Sequence, residues 1–163
     1  MCVLLFLFYC QILILLQNKY MAIMHNNDFQ HLNKEQKLNL LSQLVKMAKA
    51  DKIFKFVEFK YLTDVAELLG ITSGQLDEII ENDIVAPLPK SMPDRTRQIY
   101  RLSVMMMVDG EISKEEMILL KNYAVELGLT PNGVEIMIAR MEQNKGGMLL
   151  DDELLQIFSI QLN

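Results

Sequence analysis

Part of this chain matches another part of itself. Displaced by 58 residues, AKADKIFKFVEFKYLTDVAELLGIT (48–72) falls on MMVDGEISKEEMILLKNYAVELGLT (106–130) without a gap and with seven identities in 25 positions. Asp51 meets Asp109, Glu58 meets Glu116, Leu62 meets Leu120 and Ala66 meets Ala124; Leu69, Gly70 and Thr72 meet Leu127, Gly128 and Thr130. A unit this short cannot bury its own apolar face, so two copies must pack together. The matched Leu, Ala and Leu, with Phe59 and Met117 ahead of them, step by three, four and three, the spacing of one buried helical stripe.

The rest of the chain has the same period. Leu38, Leu41, Val45 and Ala48 form another stripe, and further helices are predicted near 56–69, 74–82, 94–108, 114–127, 131–144 and 152–161. Start and stop signals agree: Thr72 or Ser73 as N-cap, Ser113 with Glu116 as a capping box, Thr130-Pro131 as cap and first-turn proline, and Gly70 and Gly128 as C-terminal glycines. The stretch from Ile84 to Pro93 contains three prolines and divides the halves. The expected fold is all-α, a compact bundle of about seven helices built from two pseudo-twofold-related three-helix repeats near 36–83 and 94–145, within a domain spanning 33–163. The last helix closes this bundle.

Ahead of that domain lie a polar segment, 21–32, and an apolar leader, 1–20. The leader supplies 16 of about 83 apolar residues and one charge, Lys19; without it 67 of 143 residues, about 47%, are apolar, an ordinary share for a globular domain. Three readings of the leader stand. As a membrane anchor, residues 1–16 would rise about 24 Å against a hydrocarbon core of roughly 30 Å. As a signal peptide the run lacks a basic start and a small-residue cleavage site. As a misassigned start, translation would begin at Met21 or Met24. Cys2 and Cys10, the only cysteines, both lie in this leader, which agrees with the last reading and leaves the domain without disulfide or thiolate chemistry. The expected location is cytoplasmic, with an inner-membrane anchor carrying a cytoplasmic domain as the alternative.

Charge removes other classes. From Met21 onward 15 basic residues face 21 acidic ones, a net charge of -6. Without a Lys/Arg block the chain lacks the footprint of nucleic-acid binding or of a polybasic membrane patch. A membrane enters only through residues 1–16.

The duplication also carries acids. Asp51 and Asp109 lie in the turns, and Glu58 and Glu116 in the first turn of the helix that follows. Four carboxylates from two paired turns suit a hard divalent cation, Ca²⁺, Mg²⁺ or Mn²⁺, with Glu111 and Glu115 as further donors. The same acids have a structural reading: Glu116 completes a capping box, first-turn acids complement the helix dipole, and Asp109-Gly110 is a turn pair. The spacing is not that of an EF-hand, and Lys52 stands where the second half has Gly110. His25 and His31 are six apart and read as surface residues, and Met105-Met106-Met107 reads as core packing. There is no Gly-rich phosphate loop, G-x-S-x-G, H-E-x-x-H or nucleophilic cysteine beyond the leader, so no enzyme is expected. A metal-dependent hydrolase would have only those acids as catalytic groups.

The unit Ala48-x-Ala50-Asp51 with Glu58 seven residues on, followed by a helix ending Leu-Gly-Ile-Thr, has its counterpart in Met105 to Thr130, where Asp109 and Glu116 keep the spacing and the helix ends Leu-Gly-Leu-Thr, and the pair resembles the TerB-like family. That family includes tellurite-resistance protein TerB and the N-terminal domain of DjlA-type membrane co-chaperones. The resemblance covers about residues 36–160. It implies a duplicated all-helical bacterial domain tied to tellurite and other stresses, to metal ions through Asp51, Glu58, Asp109 and Glu116, and to protein partners at the membrane face. Lys52-Ile53 departs from the usual glycine and polar residue, and the resemblance does not extend to recruitment of a chaperone ATPase.

Overall fold

Five of the described helices start after a side chain that accepts from an unpaired N–H of the first turn. Asn33 opens α1 (Lys34–Ala48), its side chain accepting from the Gln36 N–H while Gln36 accepts from the Asn33 N–H, both at 2.9 Å. Lys55 precedes α2 (Phe56–Leu69) and has no acceptor, so only the return bond forms, from its N–H to Glu58 at 2.8 Å. Thr72 with Gln75 opens α3 (Ser73–Glu81), and Ser91 opens α4 (Met92–Met106) by accepting from the Asp94 N–H at 3.2 Å. Ser113 with Glu116 opens α5 (Lys114–Glu126), and Thr130 opens α6 (Pro131–Gln143). α7 (Asp151–Ser159) begins with three acids. The computed structural model describes residues 29, 31–50, 55–82, 87–108, 110, 112–144 and 148–159; among these there are seven helices and no strand.

The helix starts fall at the same 58-residue spacing as the sequence match. α1 and α4 begin at 34 and 92, α2 and α5 at 56 and 114, α3 and α6 at 73 and 131, each pair 58 apart. The turns closing α2 and α5 are identical in kind. Gly70 and Gly128 both adopt φ 71°, a left-handed conformation costly for residues with a Cβ. The next N–H reaches back to Ala66 in one turn and Ala124 in the other, each at 2.8 Å, completing a Schellman closure.

α1 and α4 pack against each other at the centre. α1 also meets α2, α3 and α5, while α4 meets α5, α6 and α7. Every residue from Gln98 to Val108 is therefore buried. The Met105-Met106-Met107 run lies in this stretch, as core packing predicts, and its three different headings all find protein. α7 seals the second half with Leu154, Ile157 and Phe158, all buried, against α4 and α6.

Three expectations change in detail. α4 starts two residues before the predicted 94, because Pro93 sits in the first turn, where no N–H is needed. Phe59, placed on the buried stripe, is 41% exposed, and Met117 is only partly buried. The buried arc of α2 runs through Glu58, Tyr61, Leu62, Val65, Ala66 and Leu69, and Phe59 lies roughly 90° from its centre at 100° per residue. His31 is exposed as expected, whereas His25 and the 1–20 leader lie outside the described residues. Among the described residues no helix is long and apolar enough to cross a membrane.

One glycine is held by close approach. A Cβ on Gly133 would lie 2.6 Å from Cδ1 and Cε1 of Phe158, so α7 packs directly on the α6 backbone. Gly133→Ala is expected to lower the unfolding free energy by about 2 kcal/mol through this overpacking. Gly74→Ala, in α3 with no neighbour within 4 Å, is expected to raise it by about 0.5 kcal/mol. Urea denaturation of both variants measures the contrast.

Candidate functional site

The two acidic turns are flanked by matching backbone. Lys49 after α1 has φ -96° and ψ -3°, and its counterpart Met107 after α4 has φ -96° and ψ -1°. On the far side Lys55 has φ -77° and ψ 148°, and Ser113 φ -75° and ψ 156°. Each turn thus leaves and enters its helices in the same local conformation. Asp51, Asp109 and Glu111 lie between these flanks, outside the described residues.

Of the expected ligands, Glu58 and Glu116 are described, and both are buried, at 2% and 5% exposure. Each sits in the third position of its helix with one oxygen, Oε2, accepting from the N-cap N–H at 2.8 Å. Burial of a carboxylate is tolerated because it faces peptide donors at the positive end of a helix dipole. This is the capping role that spacing alone offers as the alternative to metal binding, and both glutamates perform it. Glu115 is exposed on the outer side of α5. Among the described residues no group of three or more Asp, Glu, His or Cys side chains is gathered closely enough to hold a metal ion.

The second turn borders an open hollow of about 280 Å³ lined by Met107, Gly110, Ile112 and Glu142. Glu142, at the end of α6, is a carboxylate that the repeat could not reveal, because its position 58 residues earlier, Ile84, carries no charge. It reaches this turn through the packing of α6 on α5 and α4.

A second constellation lies in the core. The Gln98 amide donates to Asn39 Oδ1 at 2.9 Å and to Tyr123 Oη at 3.4 Å, and the Tyr123 hydroxyl donates to Asn39 Oδ1 at 3.1 Å. Three helices, α1, α4 and α5, each contribute one member. Burial above all pushes the Tyr123 phenol up to about 12, against the lowering effect of the Gln98 hydrogen bond, so it stays a neutral hydroxyl. Arg101, one turn along α4, is buried with its guanidinium 5.1 Å from the centre of the Phe29 ring, a cation–π contact. Burial raises the pKa of Tyr61 far more than the charge of Arg101 lowers it. An arginine inside the run Ile99–Val108 is a visible signal for a buried charge.

Arg97 ties α7 to α4. Its Nε lies 3.1 Å from both oxygens of Asp151 and its Nη2 2.5 Å from Oδ2, while Nη1 lies 3.5 Å from Asp94 Oδ1. The Arg97 hydrogen bonds foremost hold the Asp151 carboxyl below the usual carboxylate range, against a smaller effect of burial. His31 Nε2 stands 3.9 Å from Asp94 at the edge of this chain of charges.

Two measurements follow from these sites. Glu58→Ala and Glu116→Ala are each expected to cost about 1–2 kcal/mol in urea denaturation, with Gln in their place recovering most of it, because an amide oxygen accepts the same bond. Because the folded pKa of Asp151 is depressed, its contribution is present above its unfolded value of about 3.9 and fades as pH falls below it. In acid titrations of stability Asp151→Asn should therefore show a shallower loss below about pH 4 than the parent chain. Comparison with known proteins adds no relative: no family model matches the chain, and no curated protein or solved structure matches it significantly.

Proposed function

We propose that this chain is a non-catalytic TerB-like interaction module of a stress response such as tellurite resistance, acting by protein contact and holding a divalent cation at its acidic turns. The observation that carries the reading is the duplication: two acidic turns with matching backbone flanks, each followed by a buried glutamate in the third helical position. In this reading two three-helix units pair about a pseudo-twofold axis, and Asp51, Glu58, Asp109 and Glu116 supply oxygen ligands for Ca²⁺, Mg²⁺ or Mn²⁺. Glu58 and Glu116 would do so while still capping their helices, since a carboxylate has two oxygens and several lone-pair sites. Glu142 adds a donor on the border of the second turn. The module works in the cytoplasm without nucleic acid.

A second reading is favoured by the apolar run 1–16. In it the chain is a scaffold of the DjlA N-terminal type, anchored in the inner membrane, with the helical domain binding a protein partner on the cytoplasmic side. The intact mass of the native protein separates the two, since a chain that starts at Met21 carries no such anchor.

The cation is tested by calorimetric titration of the full chain with Ca²⁺, Mg²⁺ and Mn²⁺. Saturable heat with one of them, a raised melting temperature, and loss of both in Asp109→Ala are expected. Absence of heat and of any thermal shift with all three removes the cation from the proposal and leaves the glutamates as caps.

A further inference from the structure

The two halves agree in sequence register but differ in how they are covered. In the second half α7 lies on α4 and α6, with Phe158 against Gly133 and Asp151 on Arg97. Gly133 corresponds to Gln75, 58 residues earlier. Gln75 is exposed and lines an open groove of about 240 Å³ with Lys34, Lys37, Leu38, Leu69 and Ile71. Leu38 and Ile71 are only partly buried there, whereas their counterparts Thr96 and Leu129 are 1% and 4% exposed.

We propose that this groove receives an amphipathic helix of a partner protein, with aliphatic anchors and carboxylates in its first turn. Such helices bind through apolar residues spaced one turn apart, and the groove offers Leu38, Leu69 and Ile71 to receive them. Charge complementarity sets the rest. α7 begins with Asp151, Asp152 and Glu153 and pairs Asp151 with an arginine of α4; Lys34 and Lys37 in the first turn of α1 offer the same welcome to another acidic helix start. The anchors are aliphatic because Gln75 has a Cβ where Gly133 has none, and an aromatic ring seated like Phe158 would collide with it. The Gln75 side chain folds back onto Thr72, accepting from its N–H at 3.0 Å and its hydroxyl at 3.1 Å, which keeps the groove open. The proposal rests on the protein-contact part of the reading above and is independent of the cation.

The probe is a synthetic peptide with the sequence of residues 148–159 carrying Phe158→Leu, titrated into the isotope-labelled full chain. Saturable amide shifts at Lys37, Ile71 and Gln75 are expected, with weaker binding of the peptide that keeps phenylalanine. Lys34→Glu with Lys37→Glu, both on the rim, should weaken binding about tenfold. No saturable shift, or shifts confined to Arg97 and Gly133 as the peptide displaces α7, overturns the proposal. So does a dimer in sedimentation that Ile71→Asp dissociates, which would assign the groove to a second copy. Paramagnetic labels on Cys2 and Cys10 that broaden Ile71 would assign it to the chain's own opening segment, with the same result. A failed peptide titration beside a successful cation titration rejects the groove alone.

Discussion

The packing of α1, α5, α6 and α7 follows from the enclosure of α4. A stretch buried continuously from Gln98, inside α4, to Val108, just past its end, needs neighbours on all sides, and α1, α5, α6 and α7 supply them. The gain is large, since each fully buried apolar side chain contributes about 1.5–3 kcal/mol. Leu102, Val104, Met105 and Met106 are all fully enclosed. Enclosure also sets a cost for Gln98, Arg101 and Ser103, which must find partners inside. Gln98 finds Asn39 and Tyr123, Ser103 donates to the Ile99 carbonyl at 2.8 Å, and Arg101 lies over Phe29. The polar contents of the core are thus a consequence of how completely α4 is surrounded.

Around this pair of central helices, local chemistry sets the boundaries. A capping side chain begins α1 and α4, and Schellman turns close α2 and α5 through the same hydrogen bonds. These devices act within a few residues and need no tertiary partner. They explain why two sequences with modest identity place three helices each in the same register. The acidic turns inherit that register from both flanks.

Much of this is legible in the amino-acid order alone. Helix spacing, caps and terminal glycines are short-range signals, so the all-α class and the positions of α2, α3, α5 and α6 can be read directly. The enclosure of α4 cannot, because the apolar pattern of one helix does not say how many neighbours it will meet. For the same reason Phe59 has the spacing of a stripe residue, although α2 turns its buried arc toward Tyr61 and Val65 instead. At the candidate site the repeat points to Glu58 and Glu116 by position and names both of their possible roles. It does not reach Glu142 or the Asn39–Gln98–Tyr123 cluster, whose members are brought together only by contacts between distant helices.

That cluster has a consequence for how the central helices fit. Methionine and leucine side chains are adaptable, and a core rich in them tolerates small rotations of one helix against another with little loss of buried area. Three hydrogen bonds among α1, α4 and α5 do not tolerate such rotation, because a turn of one residue would strand an amide and a phenol in an apolar interior. The trio therefore acts as a rotational key, choosing one azimuth for three helices where the surrounding aliphatic contacts would accept several.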